Sequence, residues 1–284
     1  MSVLARKRVL VTGPTAGIGR QIALEIAALG ADLTLGCRSR ERGERVAAEL
    51  RALPGAGAID VLEIDTSSQR SIRDFARTFR ERHPRLDVLV NNAGAAPGER
   101  RTSVDGIELT FATNVLGYFL VTNELLDTLR ASVPTRIVNV ASMFAGELDL
   151  TDLQFERRRY DVLQAYAQSK ACNRLLTWAL ARRLQGSGVT VNAYAPGFVA
   201  STELSRDFPP RLKDAYGTRS GRTVEQGADT AVWLASSPAL AGVSGGFFMD
   251  RREVPCELRD ENVEEALWAQ CERLTGAARP PKHA

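Results

Sequence analysis

Histidine is scarce in this chain of 284 residues, which holds only His83 and His283. A Ser-His-Asp triad needs an imidazole beside its nucleophile, and zinc centres lean on imidazoles or paired thiolates. Neither chemistry suits a histidine that closes a polar helix and another in a Pro-rich tail. Cys37, Cys172, Cys256 and Cys271 form no CxxC and no metal-ligand spacing, so free, reduced thiols are expected. No apolar run approaches the ~20 residues that cross a bilayer. Met1 to Val11 leads straight into a glycine turn, as a first strand does and a signal peptide does not. A large charge of one sign is also missing: 37 basic residues face 34 acidic ones, a formal net charge of +3. Short clusters such as Arg6-Lys7-Arg8 and Arg157-Arg158-Arg159 read as solvated faces, and nucleic acid is not expected as a partner. There is no internal repeat and no linker. The remaining class is a cytoplasmic globular protein, 44% hydrophobic and long enough for one large α/β domain.

Within that class, Tyr166-Ala167-Gln168-Ser169-Lys170 stands out. A phenol and an amine four residues apart on a helix share one face, one turn apart, within reach of one bound molecule. A free phenol has a pKa near ~10 and gives up its proton reluctantly at neutral pH. A neighbouring ammonium favours the phenolate and brings the pair towards the working range. The same spacing also occurs in ordinary helices, so the rest of the chain has to decide.

The start of the chain reads as strand, glycine turn, helix. Val9-Leu10-Val11 precedes Gly13-Pro14-Thr15-Ala16-Gly17-Ile18-Gly19, and Ile18, Ile22, Ile26 and Leu29 then recur at helical spacing until Gly30. Glycines let backbone approach a phosphate, and a helix N-terminus offers it unpaired N–H groups and the positive end of a dipole. The spacing is GxxxGxG, a variant of the dinucleotide fingerprint. About twenty residues on, where an acid would meet a ribose hydroxyl and an arginine a 2′-phosphate, the second strand ends at Arg38; Arg20 and Arg40 are placed to add to the same pocket. Asp65-Thr66-Ser67-Ser68 follows the third strand, with Asp65 able to accept from an adenine amino group and the serines reading as helix caps.

A fourth strand opens into Asn91-Asn92-Ala93-Gly94, a backbone wall or a plain turn. One helix from about Val104 to Arg130 carries Asn114 in an apolar stretch, where an amide is unfavourable unless occupied. Ser142 falls just past the strand Arg136 to Val140, where ligands bind in open parallel sheets. An insertion at about 143–162 precedes the helix bearing Tyr166 and Lys170. Pro196-Gly197-Phe198-Val199 opens a substrate lid at about 198–222, and a C-terminal helix at about 261–275 lies on the outside. Gly242-Val243-Ser244-Gly245-Gly246 matches GxSxG, but its helix precedes and its strand follows, the reverse of a nucleophile elbow.

Taken in order, the glycine turn, Asp65, Asn91-Asn92-Ala93-Gly94, Asn114, Ser142, Tyr166 with Lys170, and Pro196-Gly197 resemble the short-chain dehydrogenase/reductase family over about residues 5 to 275. The stretches Asn114 to Leu120, Tyr166 to Asn173 and Ser244 to Phe248 are most similar to its retinol dehydrogenase-like and WW-domain oxidoreductase-like branch. The resemblance implies a single-domain Rossmann fold, a doubly wound parallel sheet of about seven strands with helices on both faces. It implies hydride transfer between a carbonyl and an alcohol, with NADP(H) favoured over NAD(H) by Arg38. Tyr166 would be the general acid/base, Ser142 would hydrogen-bond the substrate oxygen, Lys170 would tune Tyr166 and hold the nicotinamide ribose, and Asn114 would hold a relay water.

Cofactor contacts carry over to Gly13, Thr15, Ala16, Gly17, Ile18 and Gly19 in the turn, and to Arg38, Asp65 and Thr66 near the adenosine. They carry over also to Asn92, Ala93, Gly94, Pro196, Gly197 and Val199, beside Tyr166 and Lys170. The partner would be a small-molecule carbonyl or alcohol, and family members also form homo-oligomers. Membrane-bound retinol dehydrogenases carry an N-terminal anchor, whereas this chain begins within a few residues of its first strand and shows no WW module. A non-catalytic NADP(H)-binding sensor or scaffold is the alternative reading.

Overall fold

The computed structural model describes residues 3–199, 204 and 221–277. Its first half repeats one unit: β1 (Arg8–Thr12) leads to α1 (Gly17–Ala28), β2 (Asp32–Cys37) to α2 (Arg40–Arg51) and β3 (Ile59–Glu63) to α3 (Gln69–Arg82). After β4 (Val88–Asn91) come α4 (Leu109–Phe111), a π-helical segment Ala112–Leu116, α5 (Gly117–Glu124) and α6 (Leu126–Ala131). β5 (Thr135–Val140) and α7 (Val162–Arg183) follow, then β6 (Val189–Tyr194), α8 (Val224–Ser236), β7 (Phe247–Met249), β8 (Arg252–Glu253) and α9 (Glu261–Thr275).

The strands form one sheet in the order β3-β2-β1-β4-β5-β6-β7-β8, parallel throughout except for β8. This is the doubly wound Rossmann arrangement. After β3 the chain crosses to the other side of β1, so a crevice opens between β1 and β4 at the carboxyl ends of the strands. Both faces are covered, which is why the strands read as unbroken apolar runs. Alternate residues serve opposite layers: Leu10, Leu89, Ile137 and Val191 pack towards α3, α5 and α7, and Val9, Val11, Val90 and Val138 towards α1, α2 and α8. Each such side chain contributes about 1.5–3 kcal/mol of burial.

Helix starts follow local chemistry. Ser39, Ser68, Asp161, Thr223 and Asp260 each accept from a backbone N–H in the first turn of α2, α3, α7, α8 and α9. Each of these caps satisfies an N–H that the helix itself leaves open.

Three expectations need revision or extension. The helix expected from Val104 begins at Leu109, because 102–108 form a tight turn closed by a Thr102–Glu108 bridge with Gly106 at φ +75°. Glu108 then caps it, its carboxylate accepting from Thr110 and Phe111 at 2.8 and 2.7 Å. The parallel sheet of about seven strands is present as β1–β7, and β8 extends it: a two-residue exposed strand folded back on β7 through Asp250 and Arg251, both at positive φ, and too short to leave an alternating pattern. The C-terminal helix does form the outer layer, yet it roots Trp268 in the core at 1% exposure, edge-on to Phe119 at 4.8 Å and under the Arg183 guanidinium at 4.1 Å. Most of the lid expected at about 198–222 lies outside the described residues. Among the described residues, no helix is long and apolar enough to cross a membrane.

Trp268→Ala should therefore destabilise the fold by about 3–5 kcal/mol, read as the midpoint shift in urea unfolding. A loss below about 1 kcal/mol would show that α9 is not part of the cooperative core.

Candidate active site

The crevice is built first from backbone. Thr12 Oγ1 at the end of β1 accepts from the amides of Asn92 and Ala93 at 2.9 and 3.1 Å. The Asn92 amide returns two bonds, to Thr12 O at 2.9 Å and Gly13 O at 3.0 Å. The turn after β1 and the turn after β4 are thus one unit. Only glycine satisfies it at two points: Gly13 lies at φ +67° with Ala93 Cα 2.8 Å from where a Cβ would stand, and a Cβ on Gly19 would overlap Asn92 and Gly13 O. Unlike α2, α3, α7, α8 and α9, α1 starts at Ala16 with no side-chain cap and no acid in its first turn. Its first turn, Gly17 to Gly19, borders the crevice with no side-chain cap on its N–H groups.

A cavity of about 920 Å³ occupies that crevice. Of the residues picked from the sequence, Gly13, Thr15, Ala16, Gly17, Ile18, Gly19, Arg38, Asp65, Thr66, Asn92, Ala93 and Gly94 line it. So do Ser142, Tyr166, Lys170, Pro196, Gly197 and Val199. Asn114 does not line it. Its buried amide donates to Ala95 O and Ser169 Oγ, both at 3.0 Å, and its Oδ1 accepts from Ala95 N at 2.7 Å. Both amide hydrogens are engaged, so a relay water at this residue would have to use the remaining lone pair or a main-chain oxygen. The π-helical register at Ala112–Leu116, a local departure often found at functional sites, is where this side chain reaches across to β4's loop and α7.

Lys170 is 3% exposed. Its Nζ donates to Val140 O at 2.8 Å and lies 5.6 and 5.7 Å from the ring centres of Tyr166 and Tyr118. Burial lowers its pKa from 10.5 to about 7. The two π faces and the carbonyl favour the charged form but do not restore the lost hydration. Tyr166 is half-buried and stacked at 16° on Phe144, ring centres 6.4 Å apart. Ser142 Oγ accepts from Phe144 N at 3.0 Å, which leaves the hydroxyl hydrogen to donate outward.

At the adenosine end, Arg38 is exposed and makes no ion pair among the described residues. Arg20 and Arg40 do not join it, contrary to expectation. Arg20 pairs with Glu49 and Arg40 with Glu44, and neither lines the cavity. Arg42, on the first turn of α2, lines it instead. Asp65 Oδ1 accepts from Ser67 N and Ser67 Oγ, at 2.9 and 2.7 Å. Cys37 also borders the cavity, but burial, then Glu63 and Glu44, push its thiol up to about 11, so it is inert. Leu109, Met143, Phe144, Leu163 and Leu204 add an apolar wall to the cavity; sequence reading missed Leu109 and gave the stretches 143–165 and 198–222 to the substrate pocket without singling out residues. Met143 and Phe144, two large apolar residues directly after Ser142, were the available signal. Ser244 of the GxSxG stretch accepts from Val191 N at 3.0 Å and serves the sheet.

Comparison with known proteins agrees with this geometry. The short chain dehydrogenase family model matches residues 7–212. Retinol dehydrogenase 13 of Homo sapiens is 41% identical over 285 residues, spanning 96% of this chain and 86% of that protein. Retinol dehydrogenase 14 of Homo sapiens is 40% identical over 292 residues, spanning 95% and 86%. Among solved structures, an uncharacterised protein from Mycobacterium paratuberculosis has a TM-score of 0.78 at 32% identity, covering 98% of this chain and 96% of that one. The Pseudomonas aeruginosa RhlG/NADP active-site complex has a TM-score of 0.70 at 30% identity, covering 87% and 95%.

The buried lysine has a measurable signature. Between pH 7 and 10.5 the unfolded chain binds a proton at this side chain that the folded protein increasingly lacks, so the group adds to stability as pH rises through that window and detracts as pH falls. Lys170→Met should raise the melting temperature at pH 7 by about 2–4 °C, with the gap to wild type closing towards pH 10. Parallel pH dependences for the two proteins would show that Lys170 is not desolvated.

Proposed function

The chain belongs to the short-chain dehydrogenase family of carbonyl/alcohol oxidoreductases, and we propose from that premise that it is an NADP(H)-dependent enzyme with Tyr166 as its general acid/base. The observation that carries this reading is the convergence of Ser142, Tyr166 and Lys170 on one cavity whose other end holds an uncapped helix and an exposed arginine. The cavity suits a dinucleotide on its own evidence. The open N-terminus of α1 and the Cβ-free approach at Gly13 and Gly19 suit a pyrophosphate, and Arg38 and Arg42 suit a 2′-phosphate. Asp65 and Thr66 would border the adenine, while Asn92, Ala93, Gly94, Pro196, Gly197 and Val199 would wall the nicotinamide side.

When bound, the cofactor supplies or accepts the hydride. The chain's own residues handle the oxygen. Ser142, its Oγ already accepting from Phe144 N, donates to the carbonyl oxygen and stabilises the charge that grows there. The Tyr166 hydroxyl gives its proton to that oxygen in reduction and takes it back in oxidation. Lys170 in its ammonium form favours the Tyr166 phenolate. With its pKa near 7, part of the population is neutral at pH 7, and a bound anionic cofactor shifts it towards the charged form. The apolar wall of Leu109, Met143, Phe144, Leu163 and Leu204 suits a hydrophobic aldehyde or ketone. Retinoid-sized carbonyl compounds belong in the test set because two of the relatives are named retinol dehydrogenases.

The test is NADPH and NADH oxidation by purified protein over aldehydes, ketones and quinones graded in size. Tyr166→Phe should lower kcat by about 10²–10⁴-fold while NADPH affinity stays within about threefold; turnover equal to wild type would sink the proposed mechanism. Arg38→Asp should weaken NADPH binding by at least about tenfold, the loss of one charge-assisted contact, and leave NADH binding nearly unchanged. Equal loss of both cofactors would remove Arg38 as the 2′-phosphate partner.

A further inference from the structure

Arg174 follows Lys170 by one turn of α7, and both cations reach the same stretch of backbone. Lys170 donates to Val140 O, and Arg174 Nη2 donates to Ser142 O in a short contact. Arg174 Nη1 lies 3.3 Å from Cys256 Sγ, and the guanidinium carbon lies 3.9 Å from the centre of the Phe247 ring. The residue is 5% exposed, its Nε has no hydrogen-bond partner, and no carboxylate pairs with it among the described residues. A guanidinium remains charged at any pH at which the protein is folded. A buried cation without a counter-charge costs stability, and a hydrophobic side chain of similar length would pack there more cheaply.

What the cation holds gives the reason for its presence. Ala141 N donates to Tyr194 O at 2.8 Å, the last bond that ties this chain to the sheet. Ser142 lies one residue beyond the ladder. Its carbonyl is taken by Arg174 and its hydroxyl oxygen by Phe144 N. These two contacts fix the direction of the Ser142 side chain. We propose that Arg174 is a positioning residue for the reaction: its guanidinium, seated between Phe247 and Cys256, pins the Ser142 peptide so that the Ser142 hydroxyl meets the substrate oxygen. The inference rests on the reading of Ser142 as donor to that oxygen, and it brings β7 and the segment after β8 into the definition of the active site.

The experiment is a double-mutant cycle on a carbonyl compound that the wild-type protein reduces, with kcat, KM, NADPH affinity and melting temperature measured for Arg174→Met, Ser142→Ala and both together. Arg174→Met should lower kcat by about 10–100-fold, the scale of a misplaced reacting group, with NADPH affinity and melting temperature held or raised. Arg174→Lys keeps the charge but cannot span Ser142 O, Cys256 and the ring at once, and should lose nearly as much. In the Ser142→Ala background, Arg174→Met should cost no more than about twofold. Should Arg174→Met fail to fold, Phe247→Leu withdraws the ring beneath the guanidinium and should lower kcat by about 3–10-fold in wild type but not in Ser142→Ala. A loss that adds in full to that of Ser142→Ala, or a wild-type kcat in the Arg174 variants beside a damaged Ser142→Ala, overturns the inference alone. Intact turnover in Ser142→Ala overturns the role of Ser142 and the inference with it.

Discussion

A lysine kept out of water is the constraint on which the half of the structure around Tyr166 depends. Lys170 is buried because almost the whole of α7 is buried, from Val162 to Leu180. A helix buried on nearly every side has no amphipathic stripe to set its rotation. Polar bonds set it instead. Asn114 reaches Ser169, Asn139 reaches Thr177, and Gln168 donates to Leu153 O while its Oε1 accepts from Asp149 N. Rotating α7 would break several of these bonds in a medium where an unpaired amide or hydroxyl costs about 1–3 kcal/mol. Tyr166 and Lys170 are therefore aimed into the cavity by side chains that do not line it.

The opposite end of the cavity obeys a different rule, omission. Among the described residues six helices carry side-chain caps, and α1, whose N-terminus meets the crevice, carries none. Gly13 in the turn before it and Gly19 in its first turn stand where a Cβ would strike Ala93 or Asn92, and Arg38, just after β2, has no acid paired with it among the described residues. Each is a local rule broken in the free protein, and breaks of this kind collect where a ligand completes the structure. Arg174, buried without a counter-charge, is the same kind of departure on the catalytic side.

Much of this was legible in the sequence because it rests on period and order. Strand and helix alternate with clear patterns from Val9 to Phe79, and the glycine turn, Ser142, and the Tyr166–Lys170 pair come at the spacing their chemistry needs. What was not legible depends on partners far along the chain. The start of the helix after β4 is set by the Glu108 carboxylate, and its π-helical turn by the hold of Asn114 on Ala95 and Ser169, neither of which leaves a periodic trace. Arg20 and Arg40 looked as suited to a phosphate as Arg42; Glu49 and Glu44 claim the first two. Phe144 was read as part of an insertion, and only the fold stacks it on Tyr166.

These two halves also differ in where their determinants lie along the chain. The groups that suit the adenosine and pyrophosphate end of a dinucleotide come from the first three β-α units and the turn after β4, all before residue 95, in contiguous motifs. The groups placed around Ser142 come from β5, α7, β7 and the segment after β8, joined by single side-chain contacts across more than a hundred residues of chain, from Ser142 to Cys256. A motif keeps its geometry through neighbouring backbone, whereas a contact such as that between Arg174 and Ser142 keeps it only while the whole C-terminal half packs correctly. The placement of the Ser142 peptide is thus a tertiary property: it depends on Phe247 and Cys256 through Arg174, and neither of these lines the cavity.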